Sequence, residues 1–355
     1  MIYLDVAATT KPSQIALATF NRVSQDNWMN PSSTLYSVAA KNELTAARKK
    51  IADKLGAEPE QIIFTSGSTE AANWIIRCGG WDTIITSRLE HPCVYNAVRS
   101  TDAYIEYVGH DPFGRVSIYE VAEAVERTVG KTLIAIMGAN NELGSINNIK
   151  YDITSAPQNT YVFEDATQLW AHSEPSLNGI DFGCASAHKF GGFKGTGFLY
   201  AKDPSSLPQL LFGGHQEFGL RPGTENVASI AAMAEAFVHA QPVPPDIKDY
   251  IVGLAKADGY RINSPDDGLT NLVSITLPDA DANKLISFLA MDEIYLSAGS
   301  ACQTGLNEPS RVLRAVGMSD EEARRTIRIS FDHKVRKEDF DYVFERIRVC
   351  REWSR

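Results

Sequence analysis

The chain has 355 residues, of which 44% are hydrophobic and 22% are charged, a composition typical of a globular protein with a large core. Its formal net charge of -10 argues against a broad nucleic-acid-binding surface, because phosphate contacts require clustered lysine and arginine. We expect no membrane span and no signal peptide. No apolar run is long enough for the first, and the N-terminus lacks the basic start and apolar core of the second.

The cysteines are odd in number, widely scattered and without CxxC spacing. This pattern indicates reduced thiols in a cytosol-like compartment, with neither a disulfide framework nor a structural zinc site. We therefore expect a cytoplasmic protein without a metal site. The five residues are Cys78, Cys93, Cys184, Cys302 and Cys350.

The first part of the chain alternates predicted helices with predicted strands. Each strand ends in a polar loop, which predicts an α/β fold with a mostly parallel sheet and a site along one edge of it. Helices are predicted near 14–24 and 35–55, and strands at 61–65, 82–87, 104–108, 132–137, 160–163, 180–186 and 197–201.

The second part of the chain has a different pattern. A glycine-rich loop at 213–226 precedes a predicted helix at 230–240, and the proline-rich stretch 241–245 is the best linker candidate. Strands at 272–277, 294–297 and 326–331 then alternate with helices near 282–291, from 309 and at the C-terminus. We predict a large domain over 13–243 and a small α+β domain formed by 1–12 and 244–355.

Residues 66–69, with the sequence SGST, join a predicted strand to the start of a helix. Exposed amides at a helix N-terminus, together with hydroxyl groups, form a binding site for an anion such as a phosphate. A plain helix cap would also explain serine and threonine here, although it accounts for one hydroxyl more readily than for three. Ser68 and Thr69 are therefore candidate phosphate-binding residues.

His91 follows the predicted strand at 82–87 and precedes Pro92. The proline disfavours a helical conformation for His91 and places it in an extended one, where ligands bind in open α/β sheets. A single histidine at such a place can equally be structural.

Lys189 lies between a histidine and a glycine-rich turn, in the stretch DFGCASAHKFGGFKGTG of residues 181–197. A deprotonated lysine in a tight pocket is what a Schiff base with a carbonyl cofactor requires, whereas a solvated lysine on a surface turn is the alternative. Asp165 could hold a pyridine nitrogen protonated, and Gln168 could reach a ring oxygen, which favours pyridoxal phosphate (PLP). The phosphate group could bind Ser68, Thr69, Ser186 and His188.

Two residues in the C-terminal part are further candidates. Cys302 lies in a loop of small residues, and its thiol needs a nearby base or cation to act as a nucleophile. A loop cysteine without a role is the commoner case. Arg328 lies in a predicted strand, where its charge needs a carboxylate partner, and the α-carboxylate of a substrate is a candidate.

Short motifs along almost the whole chain occur in the order found in one family. The chain resembles the cysteine desulfurases of the NifS/IscS type, in the aminotransferase class V group of fold-type I enzymes. The resemblance implies PLP as cofactor, L-cysteine as substrate, a homodimer, and a large domain with a mostly parallel seven-stranded sheet beside a smaller α+β domain. The motifs are YLDVAATT, NPSS, FTSGSTEAAN, EHPCV, NNELG, EDATQ, SAHKFGG, KGTGFLY, GLRPGTEN, SAGSAC, EPSRVL and IRIS.

The resemblance also assigns roles to individual residues. It implies that Lys189 forms the Schiff base, that Asp165 pairs with the pyridine nitrogen, and that His91 stacks on the ring. Gln168 would contact the ring oxygen, and Cys302 would carry a persulfide on a long loop. The remaining assignments are phosphate binding by Thr69, Ser186 and His188 with Thr224 of the neighbouring subunit, and substrate-carboxylate binding by Asn141 and Arg328.

A reaction sequence follows from this resemblance. Lys189 removes the Cα proton of L-cysteine, the Cys302 thiolate attacks the substrate sulfur, and alanine is released, with His91 as acid and base for the thiol steps. The persulfide then passes to a protein acceptor. An iron–sulfur scaffold, a tRNA-thiolating enzyme and a DNA-sulfur-modifying system are equally compatible with the sequence.

Three positions depart from the family pattern, namely Val6, Phe193 and Glu164. They leave the predicted chemistry intact but affect the surroundings of the substrate and the cofactor. Two other functions stay open. One is a selenocysteine lyase or another class V aminotransferase-like PLP enzyme, and the other is a PLP-bound partner protein without turnover.

Overall fold

The computed structural model describes residues 1–33, 35–148, 157, 159–299 and 308–354. In chain order, its strands and longer helices are β1 (Ile2–Tyr3), α1 (Gln14–Asp26), α2 (Val38–Leu55), β2 (Ile62–Thr65), α3 (Ser68–Cys78), β3 (Thr83–Ser87), α4 (Pro92–Arg99), β4 (Tyr104–Val108), α5 (Ile118–Arg127), β5 (Thr132–Met137), β6 (Thr160–Asp165), α6 (Leu169–His172), β7 (Phe182–Ser186), β8 (Gly197–Ala201), α7 (Val227–His239), α8 (Pro245–Ala257), β9 (Arg261–Ile262), β10 (Leu272–Thr276), α9 (Ala282–Met291), β11 (Ile294–Tyr295), α10 (Arg311–Ala315), α11 (Asp320–Arg324), β12 (Thr326–Ser330) and α12 (Lys337–Trp353).

A seven-stranded sheet with the order β2-β8-β7-β6-β5-β3-β4 is the centre of the fold. Strand β8 runs antiparallel to both of its neighbours, and the other neighbouring pairs are parallel. The register pairs Asp165 with Met137 on one side and with Cys184 on the other, so these strand ends lie at one level. The prediction of an α/β fold with a mostly parallel sheet is confirmed.

Successive side chains of a strand point to opposite faces of the sheet, so they pack into two different cores. In β2, Ile62 and Phe64 pack with α1, α2 and α7, whereas Ile63 packs with α3 and α4. Helix α5 covers the sheet beside β3 and β5 through Val121, Ala124 and Val125. The sheet is therefore covered by helices on both faces, and its loops are left at the carboxyl edge.

A smaller antiparallel sheet, β12-β10-β9, lies against α8, α9 and α12 around a separate core. The N-terminal segment joins this part of the molecule, because β1 pairs with β11 and Asp5 bridges to Ser330. Leu4 is buried in that core, and so is Val243, the last residue of the predicted large domain. These contacts support the proposed small domain of 1–12 and 244–355, whose boundaries stay a prediction.

Some elements differ from the sequence-based expectation. Helix α5 was not predicted, although Ser117 caps it and its buried residues keep helical spacing. The strand predicted at 294–297 is shorter, because only 294–295 pair with β1, and Ser297 makes an isolated bridge to Arg328. No helix within the described ranges is long and apolar enough to cross a membrane.

Candidate active site

A cavity of about 250 Å³ opens at the carboxyl edge of the large sheet. Its walls come from the N-terminal segment, from the loops after β3, β5, β6 and β7, from the start of α3, and from β12. Most of the predicted site residues meet here. Those lining it are Ser68, Thr69, His91, Asn141, Asp165, Gln168, Ser186, His188, Lys189 and Arg328.

Lys189 ends a short helical turn that directly follows β7. Its Nζ donates to the carbonyl oxygens of Ala7, at 2.7 Å, and Ala8, at 2.9 Å. The N-terminal segment is held against this turn, because the Thr10 amide donates to the His188 carbonyl at 2.8 Å. The lysine predicted to bind the cofactor is therefore positioned by a segment distant in sequence.

Asp165 is the last residue of β6 and is 5% exposed. Its Oδ1 accepts hydrogen bonds from the Thr167 amide (3.1 Å), the Thr167 hydroxyl (2.5 Å) and the Cys184 thiol (3.7 Å). Its Oδ2 lies 3.9 Å from the Cys93 thiol. One carboxylate oxygen is thus fixed by the protein, and the other remains for a cationic group such as a pyridinium.

Gln168 is almost fully buried beside the cavity. Its Nε2 donates to the Ala7 carbonyl at 2.8 Å, whereas its Oε1 has no hydrogen-bond partner among the described residues. A buried acceptor without a donor is costly, so a ligand hydroxyl at this point would satisfy it. This agrees with the prediction that Gln168 contacts the ring oxygen of the cofactor.

Three hydroxyl groups form a connected network at the start of α3. Ser68 Oγ lies 2.6 Å from Thr167 Oγ1, whose proton goes to Asp165, and it accepts from Ser186 Oγ at 3.0 Å. The Ser68 amide donates to Ser186 Oγ at 2.8 Å. Gly67 has a φ of 148°, and a Cβ on it would lie 3.1 Å from Ser186 Oγ. Amides, hydroxyls and a helix N-terminus together suit a phosphate.

Two histidines line the cavity, and both have lowered pKa values. Burial lowers the pKa of His91, with Lys189 and Arg311 acting in the same direction and Asp165 opposing them. Burial followed by the charges of Lys189 and Lys194 lowers the pKa of His188 to about 4. Both imidazoles are therefore neutral at neutral pH.

Arg328 is 1% exposed and already has an acidic partner in the protein. Its Nη2 donates to Asp5 Oδ1 at 2.6 Å, and its Nη1 donates to the Asn141 carbonyl at 2.7 Å. Its Nε is buried without a partner among the described residues. A substrate carboxylate would therefore have to bind the N–H groups of Arg328 that do not already donate to Asp5 or to Asn141.

Two predicted site residues are not part of this cavity. Thr224 lies in a separate depression with Ser66, Gly195 and Arg221. Cys302 lies outside the residues that the structure describes. A direct contact between either residue and the cavity is therefore not shown within one chain.

The three residues that depart from the family pattern, Val6, Phe193 and Glu164, lie near the cavity but do not line it. Val6 and Phe193 line a neighbouring cleft of about 770 Å³, to which His188 also contributes. Glu164 has a buried Oε1 without a partner among the described residues, and burial followed by the Asp165 charge raises the pKa of Glu164 to about 8. The second carboxyl beside Asp165 is thus largely protonated at neutral pH.

Several residues of the site were missed by sequence reasoning. Thr167 holds Asp165, and its position two residues later is a recognisable signal for such a side chain-to-backbone turn. Cys93 and Cys184, which the sequence predicted only as reduced thiols, both contact Asp165. Nothing in the spacing of these cysteines indicates that contact.

The side chains of His91, Cys93 and Asp165 each offer one ligand atom, and these atoms lie within 4.8 Å of one another. Imidazole, thiolate and carboxylate are ligands that a zinc ion accepts. The Asp165 oxygen, however, is the same group that would pair with a pyridine nitrogen. A metal ion here and PLP would therefore exclude each other.

Comparison with known proteins gives consistent results. The aminotransferase class-V family model matches residues 2–343. The cysteine desulfurase IscS of Methanosarcina thermophila is 35% identical, with 97% of this chain and 90% of that protein covered. A solved NifS-like protein superposes with a TM-score of 0.89 at 29% identity, covering 99% of both chains. A structure described as SspA in complex with cysteine gives a TM-score of 0.82 at 31% identity, covering 93% of this chain and 99% of the other.

The match of the family model extends over nearly the whole chain, and so does the alignment with IscS. The cavity contains a lysine, a buried carboxylate that can pair with a pyridinium, and a helix N-terminus rich in hydroxyl groups. Enzymes with this fold and this set of residues use PLP. The chain therefore belongs to the aminotransferase class-V family and, within it, to the cysteine desulfurases of the NifS/IscS type.

Proposed function

We propose that this protein is a PLP-dependent cysteine desulfurase that converts L-cysteine to L-alanine and transfers the sulfur to Cys302 as a persulfide. The observation that carries the proposal is the meeting of Lys189, Asp165, Gln168 and Arg328 in one cavity. IscS proteins among the relatives are cysteine desulfurases, and the SspA structure contains cysteine. Both support L-cysteine as the substrate.

The site geometry supports an assignment of the residues that would hold the cofactor. Asp165 would pair with the pyridine nitrogen, Gln168 Oε1 would accept from the ring hydroxyl, and Lys189 Nζ would hold the cofactor covalently. The phosphate would bind at the start of α3. When bound, PLP supplies an electron sink for the bond electrons at the substrate Cα. The phosphate ligands are Ser68, Thr69, Ser186 and His188.

The remaining polar groups act on the substrate. Arg328 and Asn141 would bind the α-carboxylate, which fixes the orientation of Cα toward Lys189. Lys189 Nζ, which lies in the same cavity, would accept the Cα proton. His91, neutral in this environment, can donate or accept a proton at the sulfur. The Cys302 thiolate would form an S–S bond to the substrate sulfur while the Cβ–S bond breaks. The electron pair of the broken bond would stay with the substrate and, with a proton, give the methyl group of alanine.

Alanine and sulfide production from L-cysteine tests the proposal. We expect the purified yellow holoenzyme to form both products in the presence of a thiol reductant. The variant Cys302→Ser should keep the cofactor absorbance but lose sulfide release. A yellow protein that forms neither product would refute the substrate assignment, and selenide release from selenocysteine alone would favour the selenocysteine lyase.

We further propose a homodimer in which Thr224 reaches the phosphate of the neighbouring subunit. Thr224 lies apart from the cavity of its own chain, in a depression with Arg221. Apolar side chains close to it in sequence are exposed, including Phe212 at 91% and Phe218 at 54%. Exposed aromatic groups of this size favour an interface with a second protein surface.

The persulfide on Cys302 requires an acceptor, which we propose to be another protein. An iron–sulfur scaffold, a tRNA-thiolating enzyme and a DNA-sulfur-modifying system remain the candidate pathways. Cys78, Cys93, Cys184 and Cys350 are free cysteines, which supports a reducing, cytoplasmic location.

A further inference from the structure

The turn Gln216–Gly219 has a backbone conformation that few residues other than glycine adopt. Glu217 has a φ of 47° and a ψ of 51°, and Phe218 has a φ of 61° and a ψ of 22°. The structure describes three non-glycine residues with a positive φ, and two of them are these neighbours. Left-handed backbone is unfavourable for a residue with a Cβ, so other contacts must hold the turn in place.

The carboxylate of Glu217 provides the first of these contacts. It is buried, and it accepts hydrogen bonds from Arg48 Nη2, at 2.6 Å, and from Arg48 Nη1, at 2.9 Å. Its Oε2 also accepts from the Phe64 amide at 2.8 Å. The turn is therefore bound to helix α2 and to strand β2 of the large sheet.

The guanidinium of Arg48 provides the second contact. Its central carbon lies 4.4 Å from the centroid of the Phe64 ring and 5.0 Å from the centroid of the Phe218 ring. Its Nη1 also donates to the Ile62 carbonyl. Because Glu217 and Phe218 are the two left-handed residues, the ion pair and the ring contact together hold both of them in this conformation.

The turn leads directly to Thr224 and is connected to the segment that carries it. Gln216 Oε1 accepts from the Gly223 amide at 3.3 Å. Arg221 donates from Nε and Nη2 to Glu70 of α3, at 2.8 Å and 3.2 Å. The carboxylate of the turn, Arg221 and Thr224 line one depression. The backbone of the turn therefore sets the direction in which the segment with Thr224 leaves the sheet.

We propose that Glu217 is a positioning residue that presents Thr224 to the active site of the neighbouring subunit. The proposal rests on the homodimer proposed above, in which this threonine binds the phosphate of PLP in the other chain. The alternative is a buried ion pair that serves only the stability of its own subunit. The two roles differ in the active site that they affect, because a positioning role acts on the neighbouring site and a structural role acts on the site of the same chain.

Mixed dimers with a single lysine-bearing site distinguish the two roles. Two different affinity tags allow the mixed dimer to be isolated. Lys189→Ala in one chain leaves only the other chain able to form the yellow imine with PLP. The measurement is the dissociation constant for PLP, followed by that absorbance and compared with a dimer that carries Lys189→Ala in one chain and no other change.

In the first mixed dimer, one chain carries both Lys189→Ala and Glu217→Gln, and the other chain is unchanged. The lysine-bearing site then receives Thr224 from the altered chain. We expect its dissociation constant for PLP to rise by about 10-fold, as for the loss of one hydrogen bond to a charged group. In the second mixed dimer, Lys189→Ala and Glu217→Gln are on different chains. Its lysine-bearing site receives Thr224 from a chain with native Glu217, and we expect unchanged affinity.

A control and a second variant make the result specific. Glu43→Gln is the matched control, because Glu43 of α2 also binds an arginine, Arg22, through both carboxylate oxygens, at 2.5 Å and 3.1 Å. It should leave the affinity for PLP unchanged in both arrangements. Should Glu217→Gln not yield a folded dimer, Arg48→Lys takes its place and should give the same pattern, because lysine keeps the charge but lacks the paired donors that hold the carboxylate.

Weaker PLP binding in the second mixed dimer would show a role within one subunit and would overturn the proposal, whatever the first one does. Unchanged affinity in both mixed dimers, or a holoenzyme that is a monomer at the concentration of the assay, would overturn it as well. None of these readouts involves L-cysteine turnover. Failure of the proposed desulfurase activity is therefore recognised separately, by the absence of alanine and sulfide.

Discussion

At the scale of single residues, the pairing of Arg328 with Asp5 determines how a substrate carboxylate can bind. The guanidinium has its two Nη groups on Asp5 and on the Asn141 carbonyl, so its orientation is fixed before a substrate arrives. A preorganised planar cation gives up little entropy when it binds a carboxylate. The sequence predicted that this strand arginine needs a carboxylate, but Asp5 lies more than three hundred residues away along the chain and was not predicted as its partner.

Arg328→Lys should therefore impair substrate binding while retaining the positive charge. We expect KM for L-cysteine to rise by about 10-fold or more, since a lysine lacks the planar donor pattern of arginine. Steady-state kinetics measures this effect. Arg336→Lys, which changes an exposed arginine paired with Asp339, is the matched control and should leave KM unchanged. An unchanged KM in Arg328→Lys would exclude Arg328 from carboxylate binding.

Glu164 gives a pH dependence of stability whose sign is fixed by the direction of its pKa shift. Its folded-state pKa of about 8 lies above that of an exposed glutamate, because burial and Asp165 disfavour the charged form. Between these two pKa values the folded protein binds more protons than the unfolded chain, so the contribution of Glu164 to stability falls as the pH rises toward 8.

Glu164→Gln should remove that dependence. We expect the stability of the variant relative to the parent to increase by on the order of 2 kcal/mol between about pH 6 and about pH 9. Thermal unfolding at a series of pH values measures the difference. Glu90, whose pKa burial also raises to about 8, is present in both proteins and cancels in the comparison. A constant difference between the two unfolding curves would show that Glu164 is ionised in the folded protein.

At the scale of elements, the turn between β2 and α3 is where close packing and the proposed phosphate site coincide. Gly67 has a positive φ and a side chain of any size there would contact Ser186. The SGST motif predicted a helix N-terminus with donors for an anion, and α3 does begin at Ser68. The approach of Ser186 from β7 could not be predicted, because it depends on how two distant strands are placed in the sheet.

Gly67→Ala should weaken PLP binding through the displacement of Ser186. We expect the dissociation constant for PLP to rise by about 10-fold, which corresponds to the loss of one hydrogen bond to a charged group. Gly56→Ala is the matched control. Gly56 also has a positive φ, of 70°, but a Cβ there would enter open space. Both variants should lose about 1 kcal/mol of stability, and only Gly67→Ala should change the titration of apoprotein with PLP. Equal affinities in both variants would contradict the phosphate assignment.

Periodicity and turn residues predicted the sheet strands closely, because most of β2 to β8 are buried, apolar runs bounded by polar loops. The edge strand β4 is partly exposed. The strand predicted at 132–137 corresponds to β5 without any change in its bounds. The position of the N-terminal segment was harder to predict. Its contacts with Lys189 and with Gln168 depend on tertiary packing that leaves no local pattern. The residue types and their order in the sequence thus indicate the chemistry of this site. Which of these residues contact one another is seen only in the folded chain.

At the scale of the whole molecule, the position of Thr224 predicts that each active site is shared between two subunits. Mixed dimers test this directly. Lys189→Ala alone should be inactive, and Thr224→Val alone should be impaired at limiting PLP. Refolding the two variants together should restore activity. A mixed dimer contains one site with both native residues, so a statistical mixture should reach about a quarter of the parent activity. Activity no higher than that of Thr224→Val alone would place Thr224 outside the neighbouring site.

The central claim is that one sulfur atom moves from L-cysteine to Cys302. Its most direct test is a single turnover of the holoenzyme without reductant, followed by peptide mass spectrometry of all five cysteines. We predict one alanine released for each added sulfur atom, with that sulfur on the peptide containing Cys302. Alanine formed without a persulfide on Cys302, or a persulfide found on Cys93 instead, would contradict the account.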